Sequence, residues 1–243
     1  MYWRRLGPAF LALGLCASAA PLAHGQTDSR AEVARMTEDQ YGVLLRSVEY
    51  RSLREIVEQN LVYGENGEEI GEVTDLVFAP EGQILSVIAK IDGIWETQVS
   101  IPWKEVVPNT PADGIAGILV PVDEEDEFIP ELVLTPEDAA NEMREVGEEV
   151  AVTGGAWLAT GLLGAPARIE GKDGPEAFGL IQDAFMEEGE VFVLVIRPEP
   201  LSQMPELVAV PFPDEAVDWS PRRSLVDLGY SFETLLEAPK AEF

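Results

Sequence analysis

Asp75 and Asp183 close two stretches of matching order, Ile70-Gly71-Glu72-Val73-Thr74-Asp75 and Phe178-Gly179-Leu180-Ile181-Gln182-Asp183. Two carboxylates facing one cleft can divide general-acid and general-base roles, the chemistry of a hydrolase acting on glycans. That work needs the pair within several ångströms, and nothing in the sequence brings them together. Bonding of each side chain to a turn backbone is the duty the sequence favours. A serine nucleophile needs a base, and Ser86 and Ser100 lie near Lys90 and Lys104, though at no recognised spacing. Both serines read as surface-facing strand residues.

Other candidates are weaker. Gly64-x-x-Gly67 and Gly114-x-x-Gly117 lack the strand-loop-helix setting of a phosphate cradle and read as turns. The acidic block Asp123-Glu124-Glu125-Asp126-Glu127 attracts divalent cations, but without spaced ligands and a central glycine its calcium binding should be weak and nonspecific. It reads first as a solvated linker. Trp95, Trp103, Phe212 and Trp219 are too few and too scattered for a carbohydrate or base platform, and core packing or loop anchoring suits them better. No catalytic, cofactor-binding or metal residues are assigned, and no cofactor.

The chain's composition explains this poverty. Of 243 residues, 45 are Asp or Glu against 16 Lys or Arg, a formal charge of -29, so the basic footprint that nucleic acid requires is missing. At the start, Arg4 and Arg5 precede an apolar run from Leu6 to about Leu15, then small residues and Ala23-His24-Gly25, the three-part pattern of a signal peptide over residues 1–25. Leu15 is too large for the position before a lipidated cysteine, which argues against lipidation at Cys16. Cleavage after Gly25 would remove the only cysteine and the only histidine and shift the charge to -31 by loss of Arg4 and Arg5. Disulfides, thiol chemistry, imidazole catalysis and Cys/His metal sites would then all be excluded. Two readings of the acidity stay open, a well-solvated exported protein and adaptation to a salty medium. In the second, resistance to denaturant rises from low to high ionic strength as screening relieves self-repulsion; a flat salt series removes it.

Residues 26–59 carry helical signals: Thr37-Glu38-Asp39-Gln40 has capping-box spacing, and Leu53, Ile56 and Val57 share one helix face. From Leu61, the Asn66-Gly67, Glu81-Gly82 and Asp92-Gly93 turns divide alternating or β-branched runs into a meander of about five short strands, ending in Val99-Ser100-Ile101-Pro102-Trp103. Residues 108–156 are punctuated by prolines and read as a connection with one helix. Thr135-Pro136-Glu137 starts that helix, which should run to about Val146. Then the meander returns. Gly64 to Gly67 is echoed by Gly171 to Gly174, the two aspartate stretches lie 108 apart, and Val208-Ala209-Val210-Pro211-Phe212 echoes the Ile-Pro-Trp ending at 109. Matches in order at nearly constant offset indicate a duplicated unit of about sixty residues.

The order turn-Gly, [Ile/Phe]-Gly-x-x-x-Asp, acidic-Gly turn, apolar strand and Val-x-[Ile/Val]-Pro-[Trp/Phe] resembles the PRC-barrel domain, a family that includes the H subunit of the photosynthetic reaction centre and the C-terminal domain of a ribosome maturation factor. The resemblance implies a mainly β protein with two small PRC-barrel-like antiparallel β-barrels and a few short helices. Gly71 and Gly179 would then allow a strand to bend or another backbone to approach. The proline of each motif ends its strand, and the aromatic after it folds back over an open barrel end. The expected organisation is a signal peptide (1–25), an N-terminal helical segment (26–49), a first barrel (50–107), an acidic linker with one helix (108–156), a second barrel (157–221), and a tail with a short helix (222–243) that has no counterpart after the first copy.

The reading that follows is a non-enzymatic binding or assembly module, periplasmic or secreted, with an unidentified protein partner in the bacterial envelope, no nucleic-acid partner and weak divalent cation binding. A membrane-anchored subunit of an envelope or photosynthetic complex, keeping residues 6–23, and a carboxylate-only hydrolase are the alternatives.

Overall fold

The computed structural model describes residues 33–46, 51–59, 61–92, 97–109, 117–122, 126–202, 204 and 206–240. The signal-peptide segment with Cys16 and His24, the Gly93 turn position, Trp95, Gly114 and residues 123–125 lie outside them.

The chain is mainly β and builds two sheets. In the first, hydrogen bonding runs in the order Val107–Asn109, Gly117–Leu119, Leu61–Tyr63, Glu69–Phe78, Ile84–Ile91, Thr97–Pro102, Arg144–Val146, Ile129–Glu131. The second runs Val217–Ser220, Leu225–Ser231, Pro166–Gly171, Gly174–Glu187, Glu190–Pro198, Leu207–Pro211, Ala34–Met36. The first six strands of each order correspond one to one. In both, the strand Gly117–Leu119 or Leu225–Ser231 runs parallel to the strand that opens the meander, and the remaining pairs among the six are antiparallel. The tail therefore does have a counterpart in the first half. Pairing with a strand far back in sequence leaves no local signal, which is why the tail is expected from sequence to have no counterpart. Phe232–Glu237 forms the short α-helix there.

Register strengthens the match. Both long strands slip against their hairpin partner just before the aspartate, between Val73 and Asp75 and between Ile181 and Asp183, and again near the turn. Such bulges bend and twist the strand. Neither path closes on itself among the described residues, so the expected barrels take the form of bent open sheets.

The central hairpin strands are buried on both faces, as their Ile- and Val-rich sequences require. Their inner faces share one continuous core, including Leu76, Val87, Ile101, Ile181, Leu194 and Val210. Outside the first sheet lie Leu134, Ala139 and Ala156; outside the second lie Met36, Tyr41 and Leu44. The capping boxes at Thr37 and Thr135 are both formed. Other local expectations change. The helix from Pro136 stops at Asn141, because residues Arg144–Val146 extend to pair with the first sheet's edge. The connection adds Gly117–Leu119, Ile129–Glu131 and Arg144–Val146 as short strands at or near sheet edges, where proline is tolerated. The N-terminal segment is a strand, Ala34–Met36, followed by helix Glu38–Leu45, with β-pairing to Leu207–Pro211 overriding helical preference.

Candidate functional site

The two sheets are interlocked by a reciprocal exchange. Arg51–Ser52 and the helix Leu53–Gln59 lead into the first sheet, yet Arg51–Ser52 pairs with Met186 and Phe185 of the second. Trp157–Leu158 and the helix Ala159–Leu162 lead into the second sheet, yet they pair with Phe78 and Val77 of the first.

Each exchanged segment is received by a buried aspartate. Asp183 Oδ1 accepts from the backbone N–H of Arg54 at 3.1 Å and of Ala184 at 2.8 Å. Its Oδ2 accepts from the hydroxyls of Ser52 at 2.6 Å and Tyr41 at 2.9 Å. Ser52 in turn accepts from the N–H of Glu55 at 3.0 Å, so it caps the helix it begins. Asp75 repeats the plan: Oδ1 accepts from Leu76 N at 2.8 Å and Thr160 N at 3.1 Å, and Oδ2 from the Thr160 hydroxyl. The expected bonding to backbone is present, but the donors belong to helix starts 85 and 129 residues distant rather than only to a local turn. Long-range capping of this kind has no spacing signature in sequence.

Burial pushes both carboxyls above their ordinary range, against the pull of these donors. Burial, and then the neighbouring Asp183 charge, push the Tyr41 phenol up, so it stays a donor. A carboxyl raised in the folded state binds its proton more tightly there than when unfolded. The stability these two groups contribute is therefore complete below the ordinary carboxylate value of about 4 and is lost as pH rises through their raised folded values. Urea midpoints should fall on going upward through that window, and the fall should be shallower in Asp75→Asn; an identical slope in the variant would contradict the assignment.

The hairpin tips complete the interlock. Ile84 N–H donates to Gly189 O at 2.9 Å and Val191 N–H to Gly82 O at 3.0 Å. A Cβ on Gly82 would lie 2.8 Å from the Phe212 ring, and one on Gly189 would lie 2.9 Å from the Trp103 indole nitrogen. The aromatics of the two Pro-aromatic motifs thus cover the opposite sheet's turn, not an open end of their own barrel.

Ser86 and Ser100 are fully buried, and the Ser100 hydroxyl donates to Ser86 Oγ at 2.9 Å. The surface reading fails because the 134–156 segment covers this face, and the Lys104 ammonium instead donates to Asn141 Oδ1 at 3.1 Å. Gly67 is a turn glycine at φ +74°, bonded back to Gly64 O. Gly117 is in a strand, where a Cβ would meet the Tyr63 ring at 2.6 Å, so its turn reading is also corrected. Among the described residues no three His, Cys, Asp or Glu are arranged to hold a metal, and no helix is long and apolar enough to cross a membrane.

Two surface features remain. The outermost strand of the first sheet, Ile129–Glu131, carries Ile129 at 64% exposure and is followed by Leu132 at 90%, with Val133 also exposed. A cavity of about 590 Å3 opens between the 152–161 segment and the 218–222 edge of the second sheet, walled by Trp157 and Trp219.

Two bent, mostly antiparallel sheets, with Asp75 and Asp183 each bonded to the segment exchanged between them, define a β-rich module. Residues 53–126 match the model of the PRC-barrel domain. The match reaches past residue 107 and takes in the Gly117–Leu119 strand, which pairs with Leu61–Tyr63. No curated protein matches the chain. The domain is in general a non-catalytic module.

Proposed function

We propose that the protein is an exported, non-enzymatic binding or assembly module of the bacterial envelope, made of two PRC-barrel-like repeats, the second over residues 157–221 extended by the strand of the tail. One observation carries the reading. The polar side chains eligible for chemistry, Asp75, Asp183, Ser86 and Ser100, are bonded internally, while exposed apolar side chains gather at the Ile129–Val133 edge. An apolar, unpaired edge strand is a ready surface for a protein partner.

A photo-cross-linking residue at Val133, compared with one at exposed Glu176, tests this in the native envelope. The expected result is one discrete adduct from Val133, lost on Leu132→Asp and absent from Glu176. Identical smears from both positions, or none, would count against a partner at this edge. Mass analysis of the native N-terminus tests export: the chain should begin near Gln26, whereas a start at Met1 would favour the membrane-anchored subunit.

A further inference from the structure

The cavity between the sheets has features of a ligand site that the interlock does not use. Its volume, about 590 Å3, falls in the range of small-molecule pockets. Trp157 and Trp219 meet nearly at right angles, with ring centroids 6.0 Å apart and planes at 77°, forming an aromatic corner beside Pro80 and Pro221. The indole N–H of each is buried and has no acceptor among the described residues. Buried donors are satisfied in the great majority of cases, so two at one wall call for an acceptor. Arg222 stands exposed on the same wall and makes no ion pair among the described residues, while its neighbour Arg223 reaches Asp227 and Ser220. A guanidinium left unpaired in so acidic a chain is a receptor for an oxyanion.

We propose that this pocket binds an apolar group bearing one carboxylate, either the free C-terminus of a peptide or a small organic acid. The apolar part lies against half-buried Trp219 beside Pro80 and Pro221 and the carboxylate on Arg222, and seating it must open the corner for an oxygen to reach either indole N–H. Asp218, also on the wall, disfavours a second negative charge and selects monoanions. The proposal deepens the binding-module reading at a surface separate from the Ile129–Val133 edge.

Calorimetry and tryptophan fluorescence with three probes test it: an N-acetylated Ala-Ala-Leu-Phe acid, its C-terminal amide, and phenylacetate. At least one acid should bind saturably, and Arg222→Gln should weaken that binding about tenfold or more without altering the thermal midpoint. Binding of the peptide acid alone, with the amide weakened to the same degree, assigns the site to chain termini; binding of phenylacetate assigns it to small acids. No saturable binding by either acid, equal binding of the amide, or indifference to Arg222→Gln overturns the proposal. Such a failure leaves the Val133 adduct untouched, so the two readings fail separately.

Discussion

Alanine at Gly179 is expected to destabilise the fold by upward of about 3 kcal/mol, and alanine at Gly71 by as much. The new Cβ would sit 2.2 Å from the Arg197 carbonyl oxygen and 2.8 Å from its carbon at position 179, and 2.0 Å from the Lys90 carbonyl oxygen at position 71. These obstacles are backbone atoms of the partner strand, held by its β-pairing, so no side chain can swing aside to make room. The limit is steric and owes nothing to a left-handed backbone. Urea unfolding followed by circular dichroism reads the result, and unfolding free energies within about 0.5 kcal/mol of the parent would contradict the close approach.

Asp183→Leu should cost about 3–5 kcal/mol, because it strands two backbone N–H groups and two hydroxyls in a dry interior. Asp183→Asn is expected to be far milder. Oδ1 faces only backbone donors, whereas Oδ2 faces only hydroxyls, which can rotate to accept. An amide with its oxygen on the Arg54 and Ala184 side keeps both backbone donors paired, and its nitrogen can donate to the Ser52 and Tyr41 oxygens, at the cost of the acceptor that those two hydroxyl protons now use. The protonated acid keeps the backbone donors too and can donate to one of the two hydroxyls, in keeping with the raised pKa. Thermal melts of both variants give the ranking; an asparagine as damaging as leucine would mean that the negative charge itself is required.

What could be read in the sequence was what recurs locally. The Gly-x-x-x-Asp stretches, the Asn66-Gly67 and Glu81-Gly82 turns and the Pro-aromatic endings each have a short-range cause, and they yielded the mainly β class, the matching strand order of the two sheets and the tight places at Gly71 and Gly179. What escaped was every relation between the copies. Arg51–Ser52 precedes the first meander in sequence but belongs to the second sheet, and Trp103 covers a turn 86 residues away. Ser86 and Ser100 alternate as solvent-facing residues would, and only the helix from Pro136 folding over them makes that face interior. The Trp157–Trp219 pocket arises from segments some sixty residues apart, so no motif marks it.

The central claim is that reciprocal exchange makes the two sheets one cooperative unit. Native-state hydrogen exchange at low urea measures it directly, comparing the hairpin strands Ile84–Ile91 and Glu190–Pro198 in the parent and in Asp75→Leu, whose lesion touches only the first sheet's receiving site. Both strands should open with one free energy and one urea dependence, and the lesion should lower both equally. A second sheet that keeps its full protection while the first loses it would show two independent domains and contradict the interlock.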